Sequence, residues 1–137
     1  MKQHERPHDG PAGRADVCRP LVKTLVRALA EKKGNRIQVL DVGELVSYAD
    51  FLVLVGGQST AQVQALVDSV ENAVKGTWRP TYVNRSPDHS WWIIDFVDVV
   101  VHVFKGEARE SYDLEGLWAD APDGMESLGL EGISSSE

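Results

Sequence analysis

The chain has few of the features that would place a protein in a membrane or outside the cell. It contains one cysteine, Cys18, among 137 residues, so it can form neither an internal disulfide nor a metal site built from several cysteines. Its uncharged apolar runs are only a few residues long, whereas a membrane-spanning helix needs roughly 20. The first residues hold no apolar block typical of a signal peptide. We therefore expect a cytoplasmic protein that depends on its apolar core alone.

A positive net charge is also missing. The sequence has 14 Lys and Arg against 21 Asp and Glu, a formal net charge of −7. Broad binding to a nucleic-acid backbone depends on clustered basic side chains that displace counterions, so a basic protein is a better-matched partner. One segment departs from this balance, because residues 14–36 contain seven basic and two acidic residues. Direct RNA binding through this segment stays open, although a solvated helix face is the more common explanation.

Size and composition indicate one domain with one core. The chain is 42% hydrophobic and 26% charged, which lies in the ordinary globular range. Both ends are rich in charged residues and turn formers and have no apolar periodicity, which is typical of disorder. We predict a disordered lead-in over residues 1–15, a folded domain over 16–121 and a disordered acidic tail over 122–137.

The periodicity of apolar residues predicts alternating helices and strands. Helical spacing from Val17 onwards predicts an amphipathic helix that stops at Gly34, with Pro20 in its first turn. A Ser-x-x-Gln capping box at Ser59 predicts a second helix that continues to Lys75. Strands are predicted at 37–42, 50–57, 79–83, 91–95 and 98–104. The last of these is nearly all β-branched or aromatic, which indicates a central strand covered on both faces. A strand, a helix and a strand in succession form a βαβ crossover, so the fold class is α/β.

The turn from Gly56 to Thr60 is the one candidate site for a small ligand. Free amides and the helix dipole favour an anion at such a turn, and a nucleotide-binding or nucleotidyltransferase-like enzyme would use it. The turn lacks the spacing of a P-loop or a dinucleotide fingerprint, and a glycine turn into a capped helix is common for structural reasons alone. No Asp-x-Asp pair follows on a strand to hold Mg²⁺.

Three further polar residues are candidates for metal ligands or catalysts. Asp95 and Asp98 flank a predicted corner, where aspartates more often cap the backbone than act as acid, base or metal ligand. His102 has only Asp98 as a neighbour of suitable spacing, and zinc needs three or four ligands. A hydrogen-bonded strand histidine is therefore the favoured interpretation. We predict no catalytic residue, no metal and no cofactor.

The stretch from Trp91 to Trp118 gives the main functional clue. Residues 91–120 contain seven acidic and two basic residues, and aromatic residues with a polar group lie among them. Such aromatic residues serve as anchors in protein interfaces. Trp91 and Trp92 have opposite strand parity, so one of the pair is predicted to face away from the core. We expect Trp92 and Trp118 to be core residues and Trp91 to be a candidate contact residue.

Several phrases in the chain resemble the ribosomal silencing factor family, also called Iojap or RsfS. They are SYADFLVLVGGQS at 47–59, WWIID at 91–95, DVVVHVF at 98–104, EAR at 107–109 and YDLEGLW at 112–118. The resemblance spans about residues 20–121, and its last block is the most distinctive.

The resemblance implies a fold, a function and a set of contact residues. The fold would be a mixed sheet of about five strands flanked by helices, similar in outline to nucleotidyltransferases but without their chemistry. Members are not enzymes: they bind ribosomal protein fourteen of the large ribosomal subunit, block its joining to the small subunit and so repress translation. A homodimer of the free protein is also implied. Matching positions carry the partner-binding role to Trp91, Asp98, Glu107, Arg109 and Tyr112.

The sequence departs from the family pattern at two places. Val97 stands where the family usually has glycine before Asp98, and a positive φ at that corner would strain a valine. This departure predicts an altered turn and affects the placement of Asp98. Asn84 and Arg85 replace the family's usual Glu-Gly, which removes a negative charge from a neighbouring loop.

Overall fold

The computed structural model describes residues 13–132, which form a single five-stranded sheet with helices on both faces. The elements in chain order are α1 Gly13–Glu31, β1 Asn35–Asp41, β2 Phe51–Gly57, α2 Thr60–Val74, β3 Tyr82–Arg85, β4 Trp91–Asp95, β5 Val99–Lys105, α3 Ala108–Tyr112, α4 Leu114–Leu117 and α5 Gly124–Leu128. Within this range no helix has the length and apolar character needed to cross a bilayer.

The sheet has the strand order β1-β2-β5-β4-β3 and is mixed, as predicted. β2 and β5 pair in parallel, and the other three neighbouring pairs are antiparallel. β5 is the central strand, which confirms the interpretation of the apolar run that it contains. α2 connects β2 to β3, two strands that run in the same direction but are separated by β5 and β4. β3 begins at Tyr82, three residues later than predicted, because Pro80 has no amide to donate to a strand ladder.

The two faces of the sheet hold separate apolar clusters. Val53, Val101 and Val103 point towards α1, α2 and α5 and form the larger cluster with them. Leu54, Val100 and Phe104 point to the other face, where the segment after β1 and the helices α3 and α4 cover them. The alternation of side chains along each strand explains the division. It also explains why β2 is buried throughout.

α1 begins earlier than the sequence predicted. It starts at Gly13, so residues 13–15 are helical rather than part of a disordered lead-in, and Pro20 lies inside the helix rather than in its first turn. Proline costs a backbone hydrogen bond at an interior position. The first turn is held by tertiary contacts, because the Arg14 guanidinium lies 3.1 Å from a carboxylate oxygen of Asp41 and 3.6 Å from one of Asp50. The rest of the predicted lead-in lies outside the described residues.

The predicted disordered tail is also wrong over residues 122–132. α5 is capped by Asp123, whose carboxylate accepts from the Met125 amide at 2.9 Å. Leu128 and Leu130 are both buried in the larger apolar cluster. The Arg19 Nε donates to the Leu128 carbonyl at 2.7 Å. These two buried side chains, the cap and the bond from Arg19 together hold this polar segment on the domain. Residues 133–137 lie outside the described part of the chain.

The turn between β2 and α2 agrees with the capping-box prediction in most respects. The Ser59 hydroxyl accepts from the Gln62 amide at 3.1 Å, and the Gln62 side chain accepts from the Gln58 amide at 2.8 Å, one residue before the N-cap. A Cβ on Gly57 would lie 3.0 Å from a methyl group of Val63. The glycine thus allows α2 to pack closely on β2, which is a structural reason for its presence.

Candidate functional site

Four rings form an aromatic cluster on the sheet face that bears α3 and α4. They belong to Trp91, His102, Phe104 and Tyr112. Trp91 on β4 pairs directly with Phe104 on β5, and their rings stack with centroids 5.5 Å apart. Tyr112 at the end of α3 lies over Trp91 at a centroid distance of 4.1 Å. Phe104 is fully buried, Trp91 is half-buried, and Tyr112 is 44% exposed, so the aromatic cluster reaches from the core to the surface.

Trp91 and Trp92 point to opposite faces, as their parity predicts. Trp92 packs against the larger apolar cluster, and the Arg85 guanidinium lies 5.4 Å from the centre of its ring. Trp91 and Trp118 pack against the smaller cluster. All three are only partly buried, so Trp92 and Trp118 are core residues with one accessible side.

His102 is a hydrogen-bonded strand histidine, as favoured from the sequence. Its Nδ1 accepts from the Trp91 indole Nε1–H at 3.0 Å. Burial lowers the pKa of the imidazole from 6.5 to about 4, because a charged ring would lose its hydration. Within residues 13–132 no group of three or more His, Cys, Asp or Glu side chains is arranged to hold a metal ion.

An open cavity of about 530 Å³ adjoins the aromatic cluster. Its lining includes Asp88, Lys105, Glu107 and Tyr112. Hydrogen bonds from Ser86 and Ser90 lower the pKa of Asp88 to about 2, so its carboxylate is ionised at neutral pH. Glu107 is exposed at the start of α3, and its side chain makes no capping bond. A cationic side chain could therefore meet two carboxylates beside an exposed ring.

Two features of this surface could not be predicted from the sequence: the role of Asp88 and the part that His102 plays in the aromatic cluster. The only signal for Asp88 was its position in a turn-rich loop, between Ser86 and Ser90. Nothing local indicated that this loop folds back against α3. The Trp91–His102 bond joins residues on neighbouring antiparallel strands, so strand pairing would have been needed to predict it.

Arg109 does not lie on this surface. Its side chain is 3% exposed and makes an ion pair with Glu115, with 3.0 Å between Nη2 and Oε2. Its Nη1 also donates to the Asn35 carbonyl at 3.2 Å, and its Nη2 donates to the Gln38 side chain at 3.3 Å. In this conformation Arg109 cannot contact a partner directly, which corrects the predicted role. It joins α3 to α4 and to β1 instead.

Asp98 is not brought together with the other predicted contact residues. It precedes β5, whereas Phe104 and the aromatic cluster lie at the end of that strand. Six residues of strand separate the two positions, or about 20 Å. Trp91, Glu107 and Tyr112 are thus one group, and Asp98 belongs to the opposite end of the sheet.

The corner before Asp98 has a positive φ at Val97, the conformation that a glycine adopts without strain. Val97 has a φ of +79° and is 50% exposed. Its amide donates to the Asp95 carboxylate at 2.7 Å, and the Asp98 amide donates to the Phe96 carbonyl at 3.0 Å. The turn therefore has the positive φ expected for a glycine, and the valine adopts it under strain. Asp95 acts as a cap for this corner.

The glycine turn considered for nucleotide binding is engaged with the chain itself. The amides of Gln58 and Gln62 both donate to side-chain oxygens of the capping box. Arg36, which lines the neighbouring cavity of about 300 Å³, forms ion pairs with Glu110 and Glu115 at 2.7 and 3.3 Å. An anion that used the Gln58 or Gln62 amide, or Arg36, would have to displace these contacts.

The basic segment considered for RNA binding is partly engaged as well. Of its seven basic residues, Arg14, Arg19 and Arg36 make ion pairs within the chain. The charge that residues 14–36 can offer to a nucleic-acid backbone is therefore reduced, on α1 at Arg14 and Arg19 and on β1 at Arg36.

The family of this chain follows from its similarity to known proteins. A family model described as "Ribosomal silencing factor during starvation" matches residues 15–136. The chain belongs to the ribosomal silencing factor family. The matched range includes α5, so the family domain extends beyond the boundary at residue 121 that the sequence predicted.

Named relatives and a solved structure each match most of the chain. The ribosomal silencing factor RsfS of Halalkalibacterium halodurans is 33% identical over 118 residues, which span 84% of this chain and 96% of that protein. A mouse protein named "Mitochondrial assembly of ribosomal large subunit protein 1" is 30% identical and matches 71% of this chain and 44% of its own length. A crystal structure of a Chromobacterium violaceum protein superposes with a TM-score of 0.69 at 33% identity, covering 73% of this chain and 84% of that one.

Proposed function

We propose that this chain silences ribosomes in the cytoplasm by binding ribosomal protein fourteen of the large subunit and obstructing the small subunit. The proposed action is steric and involves no catalysis or cofactor. Family membership supports a role at the ribosome, and the mouse relative's name mentions assembly of the large subunit.

One observation carries the choice of binding surface: a cavity lined by two carboxylates and one lysine, Lys105, lies directly beside partly exposed aromatic rings. Tyr112 is 44% exposed and contacts Trp91, and the carboxylates of Asp88 and Glu107 line the adjoining cavity. Aromatic anchors supply most of the binding free energy in protein interfaces, and complementary charge mainly steers the encounter. A basic ribosomal protein fits this combination.

Two of the contact residues implied by the family resemblance, Arg109 and Asp98, have different proposed roles. Arg109 supports the surface from below, because its guanidinium holds Glu115 and the Asn35 carbonyl. Asp98 lies at the far end of β5, so it would contact the partner only if the interface extended along the strand by about 20 Å.

Sedimentation through a sucrose gradient tests the proposal. The purified protein should migrate with large subunits and reduce the fraction of joined ribosomes when small subunits are added. Equal amounts of joined ribosomes with and without excess protein would contradict steric obstruction. Migration of the protein in gradients without ribosomes tests the homodimer implied by the family resemblance.

A double substitution tests the surface itself. Trp91→Ala combined with Glu107→Lys should weaken large-subunit binding more than tenfold, roughly 1.4 kcal/mol or more, through loss of an anchor and reversal of a neighbouring charge. The matched control combines Tyr48→Ala with Glu71→Lys, which removes an exposed ring in the segment before β2 and reverses a charge on α2. Equal effects of the two pairs would contradict the proposed surface.

A further inference from the structure

The hydrogen bond between Trp91 and His102 fixes the direction of a ring at the proposed binding surface. The indole Nε1–H can only donate, so the His102 Nδ1 that lies 3.0 Å away must carry no proton. This arrangement assigns the proton of the neutral imidazole to Nε2. The bond therefore joins one tautomer of His102 to one orientation of the Trp91 side chain.

The position of His102 allows it to restrict the motion of a neighbouring side chain. It lies on the central strand, where its register neighbours are Leu54 on β2 and Ile93 on β4. The ring is 9% exposed and lies nearly parallel to Phe104, with an angle of 11° between the ring planes. Trp91 lies on β4, near the edge of the sheet, and is only half-buried. The rigid partner of the pair is thus the histidine, and the ring it holds is the accessible one.

The other contacts of Trp91 do not fix its orientation to the same degree. Phe104 stacks on the Trp91 ring and Tyr112 lies tilted against it, with ring centroids 5.5 and 4.1 Å away, and aromatic pairs are found over a range of offsets and angles. A hydrogen bond has a narrow range of angles and distances. An anchor side chain that is mobile in the free protein must be ordered when the complex forms, and this ordering has an entropic cost.

We propose that His102 is a positioning residue for the ribosomal partner: it holds the Trp91 ring by a hydrogen bond in the orientation that the partner meets. This inference rests on the proposed function and adds a residue that does not touch the partner. The neutral imidazole that the bond requires is maintained by burial.

Two substitutions at His102 separate the hydrogen bond from the ring. His102→Phe keeps a flat ring but removes the acceptor, whereas His102→Asn keeps an oxygen acceptor near the position of Nδ1. Because the chain has four tryptophans, we expect four indole signals in proton–nitrogen correlation spectra, and the Trp91 signal is identified by its loss in Trp91→Phe. We expect His102→Phe to shift this signal upfield and to speed its exchange with water, while the other three signals stay in place. We expect His102→Asn to preserve it.

Binding to large subunits gives the second readout. His102→Phe should weaken binding about fivefold, the size expected for one net hydrogen bond, and His102→Asn should stay within about twofold of the unsubstituted protein. The double variant of Trp91→Ala with His102→Phe should bind no more weakly than Trp91→Ala alone, because the histidine acts only through the tryptophan.

The outcomes distinguish this inference from the proposed function. Failure of the unsubstituted protein to bind large subunits would overturn the proposed function. If that protein binds but His102→Phe binds equally well, the positioning role is wrong. The role is also wrong if the losses of binding free energy caused by Trp91→Ala and His102→Phe add independently in the double variant. An unchanged Trp91 indole signal in His102→Phe would also overturn the role, whatever the binding result.

Discussion

At the scale of single residues, Val97 shows how a sequence can adopt a conformation that it does not favour. Its φ of +79° and the bond from the Asp98 amide to the Phe96 carbonyl describe a γ-turn of the rare, strained type. The neighbouring Asp95 carboxylate holds the Val97 amide. Strand pairing on both sides of the corner compensates for the cost, which is of order 1–3 kcal/mol for such backbone strain.

We predict that Val97→Gly stabilises the protein. Glycine adopts a positive φ without strain, and the half-exposed valine side chain contributes little burial. After subtraction of the extra freedom of glycine in the unfolded chain, the net gain is about 1 kcal/mol. Urea unfolding measures the change. Val97→Ala keeps a Cβ and most of the strain, so it should give less than half of that gain. A glycine variant less stable than the alanine variant would contradict this account of the turn.

His102 should make the stability depend on pH between about 4 and 6.5. Its pKa is lowered to about 4 in the folded protein from the ordinary value of 6.5, so the unfolded chain binds more protons in this range. The free energy of unfolding therefore falls as the pH is lowered through 6.5, and the loss is complete below the folded pKa.

Between pH 7 and pH 5 this effect amounts to about 2 kcal/mol. Urea unfolding at the two pH values measures it, and His102→Asn is the control because asparagine does not titrate. We expect the unsubstituted protein to lose about 2 kcal/mol more than the control between these pH values. Equal losses in both proteins would show that the imidazole is not held neutral by burial.

At the scale of elements, local patterns predicted the strands and α2 but not the two ends of the domain. The alternation and capping signals lie within a few residues of the elements that they specify, as in the bond from the Gln62 amide to Ser59. The first turn of α1 and the whole of α5 depend on distant partners, such as Asp41 for Arg14 and the larger apolar cluster for Leu128. A single sequence does not show which distant segments contact each other. The folded structure of these two ends therefore could not be predicted.

The same reasoning explains which candidate site residues could be placed on a face of the sheet from the sequence. Trp91 was assigned to a separate face from Trp92 by strand parity, which is a local property. The burial of Arg109 depends on Asn35 and Gln38, which are more than 70 positions away in the chain. The family resemblance carried a contact role to Arg109, and no local signal in the sequence indicated its burial.

Arg109 should be essential for holding α3 and α4 on the sheet. Arg109→Met keeps the length of the side chain but leaves Glu115 and the Asn35 carbonyl without its hydrogen bonds, at a cost of about 2–3 kcal/mol. Urea unfolding and amide hydrogen exchange in α3 measure the loss. Arg36→Met removes an exposed cation that also pairs with Glu115, and exposed pairs contribute less than about 1 kcal/mol. If the two variants lose equal stability, burial of the Arg109 network is not what holds these helices.

At the scale of the whole molecule, the fold separates support from recognition. α1, α2 and α5 pack on one face of the sheet and form the larger apolar cluster. The proposed binding surface lies on the opposite face, where the aromatic cluster adjoins the open cavity that Asp88 and Glu107 line together with Lys105. The net charge of −7 adds a long-range field to this local arrangement, and such a field attracts a basic partner before any ring contact forms.

If charge acts at long range and the rings act in contact, substitutions of charged residues and of aromatic residues should change different rate constants. The association rate with large subunits should fall severalfold as the salt concentration rises from 50 to 300 mM, because screening shortens the reach of the field. Glu107→Lys should lower the association rate and reduce its salt dependence, whereas Trp91→Ala should act mainly on the dissociation rate. Glu71→Lys changes the net charge equally but lies on α2 across the sheet, so its effect should be smaller. Stopped-flow fluorescence with labelled large subunits measures both rates. An association rate independent of salt, or equal effects of the two charge reversals, would mean that the acidic surface beside the aromatic cluster does not guide the encounter.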